Sequence, residues 1–247
     1  MESTSAHKIL DILLLFSTTQ PELTVDDISH QSQIPPSTVY RYIRVLTEKG
    51  FLEKSGNKSY RLGLRFVELN RVALGSNRDL RLIALPSMKR IADQIIETVS
   101  LMRLFNKYAI CIESIEGQHV VRVVIEQGRL QPIYTGASSK VLLAGIDESE
   151  WDSYLDGPLE PITKNTITDI EIFKQELRIT REQGYGVSDG EIDSGGRAVA
   201  VPLFDREGKV LATLSVEGPT FRMDDEKIKF YLELLLEEAQ VIRQQLS

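Results

Sequence analysis

The side chains best equipped for chemistry lie close together: Ser37, Thr38, Tyr40, Arg41 and Arg44 share one eight-residue stretch. Hydroxyls, a phenol and guanidinium forks are the groups that bond base edges and phosphate oxygens. They lie on a segment, Ser37 to Lys49, whose Val39, Ile43 and Leu46 recur at i, i+4 and i+7. That spacing predicts a helix with one apolar stripe and one polar face. From Ser37 to Arg65 seven cations (Arg41, Arg44, Lys49, Lys54, Lys58, Arg61, Arg65) stand against Glu48 and Glu53, a local +5 in a chain of net charge −7. A basic island on an acidic chain is suited to neutralising phosphates, so double-stranded DNA is the expected partner. The helix residues would read it, with Lys54 and Lys58 on the backbone. The alternative on spacing alone is a small helical pair with a solvated polar face.

Other chemistries find little support. His7, His30 and His119 are scattered, and no two share ligand spacing on one element, so no metal is expected. Gly186-Val187-Ser188-Asp189-Gly190 has Gly-x-Ser-x-Gly spacing, but a nucleophile elbow needs a strand-to-helix turn, and this run follows a helix and enters a strand. Cys111, the single cysteine, sits in an alternating apolar run. It reads as a buried, inert thiol in a reducing cytoplasm. The run Gly184 to Gly190 is glycine-rich but follows a helix and enters a strand, the reverse of a dinucleotide-binding loop. No cofactor and no enzymatic activity are expected. With 42% hydrophobic and 26% charged residues the composition is that of a soluble globular chain of one large or two small domains. Ile9 to Phe16 is too short to span a bilayer, and no secretory signal pattern precedes it.

The polar helix needs elements to hold it. Thr24 with Asp27 can cap a helix carrying Ile28, and Ile34-Pro35-Pro36 forces a turn. Ser37 then restarts the chain. Gly50 ends the second helix, and Phe51–Lys54 and Ser59–Leu62 alternate as short strands around Ser55-Gly56-Asn57-Lys58. This is a winged helix-turn-helix, mostly α. Ahead of it Ser5–Phe16 reads as a helix with Ile9, Ile12, Leu13 and Phe16 buried. Leu10, Leu14 and Leu15 there thicken the core face or meet a partner. Leu64–Leu74 continues helically, and Gly75-Ser76-Asn77 places a boundary between domains 1–75 and 76–247. Asp79–Thr98 is a further helix that Pro86 should kink or restart, so Leu64 to Leu85 is a helical linker.

Beyond it the period changes to two. Strands are expected at Val99–Leu104, Ala109–Ile115, Val120–Ile125, Gln131–Tyr134, Tyr185–Val187, Arg197–Leu203 and Val210–Val216. Helices are expected at Ser138–Leu143, Glu148–Tyr154 after Asp147, Thr168–Gln183 through a Thr168/Glu171 box, and Asp224–Leu246. The second domain is α+β.

The first domain, with HKILDILLLFS, LTVDDIS, IPPSTVYRYIRVLTEKGFL and YRLG, resembles the DNA-binding half of the IclR family of bacterial transcription regulators. IYTGASSKVLLAG, TKNTITD and QGYGVSDGEIDSGGRAVAVPLFDREGKVLATLSVEGP are similar to that family's effector-binding domain, in order and at matching separations. The resemblance implies a GAF-like α+β fold that binds a small organic or sugar acid. It also implies a homodimer or homotetramer on operator DNA, and one winged helix reads too few base pairs to serve alone. It places the ligand against Gly136, Ala137 and Ser138, with further contacts from Ser188, Asp189, Ala198, Ser215 and Glu217. A helix N-terminus there would favour a carboxylate. Three positions depart from small-acid-binding relatives: Ser188 where an acid tends to stand, Ala198 where a polar side chain or thiol can occur, and Glu217 where serine is common. Glu217 follows Ser215 at i+2, on the same strand face, and a buried carboxylate needs a partner. Arg197, Arg103 or donors on the ligand are the candidates. An enzyme, or a DNA-binding protein without ligand response, are the rival readings.

Overall fold

The computed structural model describes residues 4–56, 58–74 and 80–246. The chain forms two compact units, Met1–Asn77 and Arg78–Ser247. The expected boundary at 75/76 lies outside the described residues, as does Asn57 of the hairpin tip.

In the first unit α1 (Ser5–Leu14) precedes β1 (Glu22–Thr24), α2 (Val25–Ser32) and α3 (Pro36–Glu48), then β2 (Leu52–Ser55), β3 (Ser59–Leu62) and α4 (Arg65–Leu74). Thr24 and Asp27 close a reciprocal capping box, Asp27 N–H to Thr24 Oγ1 at 3.2 Å and Thr24 N–H to Asp27 Oδ2 at 2.9 Å. Pro36 itself takes the first position of α3, and Ser37 supplies no cap, because proline there has no N–H to satisfy. After α3 the Gly50 N–H reaches Thr47 O at 3.0 Å and Phe51 N–H reaches Leu46 O at 2.8 Å, with Gly50 at φ 75°. That double closure is a Schellman stop. The wing is antiparallel in the order β1-β3-β2. Ile12, Ile28, Val39, Tyr42, Ile43, Leu46 and Leu52 fill the core beneath α3. Tyr42 joins the expected stripe one residue before Ile43, and its ring lies under the Arg41 guanidinium at 5.3 Å.

The second unit is a sheet covered on both faces. Six antiparallel strands run in the order β6-β5-β4-β9-β8-β7. They are β4 (Thr98–Phe105), β5 (Tyr108–Ile115), β6 (Leu130–Pro132), β7 (Gly186–Asp189), β8 (Gly196–Phe204) and β9 (Val210–Pro219). The period-two pattern divides their side chains. Val99, Leu101, Val199, Val201, Leu214 and Val216 pack on α5 (Leu80–Ala92) and α9 (Asp225–Leu246). On the other face lie α6 (Gly136–Ala144), α7 (Trp151–Tyr154) and α8 (Ile170–Gln183), with Trp151, Phe173 and Leu177 wholly buried. Ser100, Ser215 and Glu217 share that second face with Ala198 and Ala200, since each is one residue out of step with the first set.

Several expected elements differ. Residues 116–129 form no strand, although Val120–Ile125 alternates. Their carbonyls are met by side chains instead: Thr98 Oγ1 on Val123, Arg222 on Val121 at 2.8 Å, and Arg129 on Val124 at 3.2 Å. β5 takes β6 as its outer neighbour, which leaves no ladder for the segment to join. The helix expected to reach Thr98 stops at Ala92, and Pro86 lies within a single helix. α8 is capped by Asp169, whose Oδ1 takes the Ile172 N–H at 3.0 Å, one residue after the Thr168 expected. Asp147 caps a short 3-10 turn through Ser149 at 2.9 Å rather than through a Glu150 box.

Candidate functional site

The first candidate site is the outer face of α3 with the wing. Ser37, Tyr40, Arg41 and Arg44 are exposed and Thr38 is half-buried, while the opposite stripe is sealed in the core. Lys54 and Lys58 are exposed beside the wing tip. The seven cations are not equivalent. Arg44 pairs with Glu48 at 2.9 Å, Arg61 with Glu53 at 2.7 Å, and Arg65 with Glu68. Arg41, Lys49, Lys54 and Lys58 make no ion pair within the described residues, so their charge faces solvent. Exposed pairs such as Arg44–Glu48 exchange readily for a phosphate or base partner.

The second is a cavity of about 470 Å³ in the second unit. Its floor is the polar face of β8 and β9, one side is the start of α6, and the roof is the unpaired segment Val121 to Ile125. Ala137, Ser138, Ser188, Ala198 and Glu217, of the eight ligand positions expected, line it. Gly136 and Ser215 sit behind the wall: Gly136 N–H bonds Glu191, and Ser215 is wholly buried between Ser138 and Glu217. Asp189 is the exception. It is exposed at the end of β7, 3.7 Å from Arg197 Nε and outside the cavity wall, because its side chain alternates away from Ser188.

Gly136 opens α6 at φ 80°, where a Cβ would fall 2.6 Å from Ile192 Cδ1. Only glycine suits both the dihedral and the space. Thr135 gives no side-chain cap. Glu191 does part of that work, its Oε2 taking Gly136 N–H at 3.1 Å and its Oε1 taking Lys140 Nζ at 2.5 Å. Both members of this pair are buried. The N–H groups of Ala137 and Ser138 lack intrahelical acceptors by geometry, and both residues stand on the cavity wall.

Across from them runs a chain of hydroxyls. Ser138 Oγ donates to Ser215 Oγ at 3.0 Å, and Ser215 Oγ donates to Glu217 Oε1 at 2.5 Å, as does Ser100 Oγ at 2.8 Å. Glu217 Oε2 is buried with no partner. Neither expected arginine reaches it: Arg197 bonds Asp225 at 2.7 Å and the Met223 carbonyl at 2.6 Å, and Arg103 is exposed. Burial pushes the Glu217 carboxyl up to about 7, against the opposing pull of the Ser215 and Ser100 hydrogen bonds. Cys111 lies beneath the cavity in the β5 core, and burial foremost, with the Glu217 charge next, pushes its thiol up to about 12. Ser100, Glu191, the roof and Gln131, a wall residue that donates to Ser139 Oγ at 2.9 Å, are not singled out by the sequence. Ser100 carried a signal, a hydroxyl at a face-inward position of an otherwise apolar strand; the roof carried only a misleading alternation.

The arrangement offers amide donors at a helix N-terminus, a row of serines and one orphaned acceptor. It can hold a small polar acid. Among the described residues no group of three or more His, Cys, Asp or Glu side chains could hold a metal ion, and no helix is long and apolar enough to cross a membrane.

Two family profiles match the chain: bacterial transcriptional regulator IclR C-terminal over residues 72–244 and the IclR helix-turn-helix domain over residues 5–56. The HTH-type transcriptional regulator KdgR of Escherichia coli (strain K12) is 34% identical over 92% of this chain and 86% of its own length. The HTH-type transcriptional regulator KipR of Bacillus subtilis (strain 168) is 31% identical over 89% of this chain and 88% of its own. An IclR homolog from Microbacterium hydrocarbonoxydans, crystallised in complex with 4-hydroxybenzoate, superposes with a TM-score of 0.86 at 26% identity, covering 98% of this chain and 99% of that one. KdgR and KipR are both HTH-type transcriptional regulators. The chain belongs to the IclR family of bacterial transcriptional regulators.

Proposed function

We propose that this regulator grips a two-fold-symmetric operator through Ser37, Thr38, Tyr40, Arg41 and Arg44, steadied by Lys54 and Lys58. Its hold changes when a small organic or sugar acid fills the C-terminal cavity. The observation that carries the reading is the cavity itself: unclaimed amide donors of Ala137 and Ser138 on its wall, a bonded serine row, and a buried acceptor on Glu217. The Microbacterium relative holding 4-hydroxybenzoate, an organic acid, supports the same class. The role is binding without turnover. Ser138 and Ser215 are bonded along the row to Glu217, and no histidine stands in the wall to take a proton.

A homodimer or homotetramer follows from the same reasoning, since one α3 reads too little DNA for a useful specificity ratio. Leu10 and Leu14 on α1 are exposed and available to a second copy. The ligand must favour one arrangement of the paired DNA-binding domains over another, because equal affinity for both would shift nothing. The segment Leu64 to Leu85, of which residues 75–79 lie outside the described residues, is where that preference is transmitted, and the protein works in the cytoplasm.

The test fills the cavity. Ala198→Phe should leave DNA affinity intact while abolishing its response to an acid found by thermal-shift screening. A full response in that variant places the effector elsewhere.

A further inference from the structure

One buried acceptor of the cavity has no use within the protein. Glu217 is 7% exposed and Oε1 is turned to Ser100 and Ser215, so Oε2 is the carboxylate's uncommitted oxygen. The other wall acids are engaged: Glu191 with Lys140 and Gly136, and Asp193 with the Gly195 N–H at 3.0 Å. Of the wall cations, Arg122 pairs with Glu116 at 2.8 Å and Arg197 with Asp225, while Arg129 donates to the Val124 carbonyl at 3.2 Å and meets no carboxylate among the described residues. On the serine-row side of the cavity the anion-binding donors are the N–H groups of Ala137 and Ser138, which have no intrahelical acceptor. Only Ser215 separates Ser138 from Glu217, by steps of 3.0 Å and 2.5 Å. A ligand carboxylate on α6 therefore brings its next few atoms beside Glu217.

We propose that Glu217 sets the cavity's specificity: it accepts a hydrogen bond from a hydroxyl carried close to the carboxylate of a monoanionic hydroxy acid, and it rejects ligands that put a second carboxylate there. This rests on reading the cavity as the effector site. Two carboxylates facing each other in a water-poor site repel, whereas a hydroxyl supplies the donor that Oε2 lacks. A ligand hydrogen in that position leaves Oε2 unsatisfied in the complex as well. Selection by an unpaired polar group is stronger than selection by shape, because the wrong ligand pays for the group it fails to meet.

Calorimetry on the full chain at about pH 8.5, where Glu217 is ionised, tests this with a matched set: 2-hydroxyhexanoate, 3-hydroxyhexanoate, hexanoate and butylmalonate, which differ only in carrying hydroxyl, hydrogen or carboxylate near the acid. At least one hydroxyhexanoate should bind about tenfold or more tighter than both hexanoate and butylmalonate, the factor one lost charged hydrogen bond gives. Glu217→Gln and Glu217→Ser should each erase that preference, with butylmalonate gaining on the hydroxy acids. Trp151 fluorescence and DNA binding report that the variants are folded. The proposal is overturned if neither hydroxyhexanoate binds at millimolar concentration, if butylmalonate or hexanoate matches them, or if the folded variants keep the wild-type order. These readouts use binding alone, so they stay separate from the question of whether a ligand alters DNA affinity.

Discussion

Replacing Glu217 by Gln should make the ligand-free second unit more tolerant of rising pH, because a buried carboxyl gives way to a group that does not ionise. The carboxyl sits in the buried strand β9, and its pKa is about 7 against an ordinary 4.5. Because the folded value is the higher one, the folded state holds this proton more tightly than the unfolded chain does. The stabilising effect is complete below about pH 4.5, falls as the pH climbs, and is gone above about pH 7. A gap of that size corresponds to about 3 kcal/mol at 1.36 kcal/mol per pH unit. Glutamine does not titrate, so any constant cost of the substitution cancels when the two proteins are compared across pH. Trp151 is the only tryptophan and is wholly buried in the same unit, so its fluorescence during urea unfolding reports this unit specifically. Between about pH 5 and about pH 8 the wild type should lose about 2.5 kcal/mol relative to Glu217→Gln. A stability difference that stays constant over that range refutes the burial argument.

Arg41→Ala should cost about 1–3 kcal/mol on the cognate site and relax base preference there, whereas Lys54→Ala or Lys58→Ala should weaken all sequences alike and lower the salt slope by about one. Fluorescence anisotropy on cognate and random duplexes at several salt concentrations separates the two classes. Glu191→Gln leaves the buried Lys140 ammonium with Glu176 at 3.7 Å and the Val187 carbonyl at 3.2 Å, so urea unfolding should show a loss of about 1.5–3 kcal/mol, that of one charged hydrogen bond; a loss under about 1 kcal/mol would mean that the pair is better hydrated than its burial indicates. Cys111, with its thiol pushed up to about 12 and its side chain sealed in the core, should resist iodoacetamide at neutral pH until denaturant is added. Rapid alkylation of the native protein contradicts that placement.

The winged helix was legible because its signals are local: the Thr24–Asp27 box, the paired prolines and the Gly50 stop each fix backbone geometry within a few residues. The long strands β4, β5, β8 and β9 were legible for a similar reason, as a buried sheet imposes period two. Where tertiary partners supply the hydrogen bonds, the pattern misled. Val120–Ile125 alternates like a strand, yet Thr98, Arg222 and Arg129 satisfy its carbonyls and it roofs a cavity. The site was half legible. Family resemblance led to α6 and β9, and strand parity put Ser215 and Glu217 on one face. What no sequence pattern exposes is which groups are already spoken for: Arg197 was claimed by Asp225, Gly136 by Glu191, and Glu217 kept one oxygen for nobody. Those are facts of three-dimensional competition between partners.

The most direct test of the central claim couples the two units. The full chain should enrich a two-fold-symmetric site from a randomised duplex pool, and its affinity for that site can then be measured by anisotropy without ligand and at saturation with an acid that calorimetry shows to bind the wild type but not Ala198→Phe. The account predicts a change of about tenfold in DNA affinity, a coupling of about 1.4 kcal/mol, that vanishes in Ala198→Phe. Identical affinity with the cavity empty and filled would contradict it.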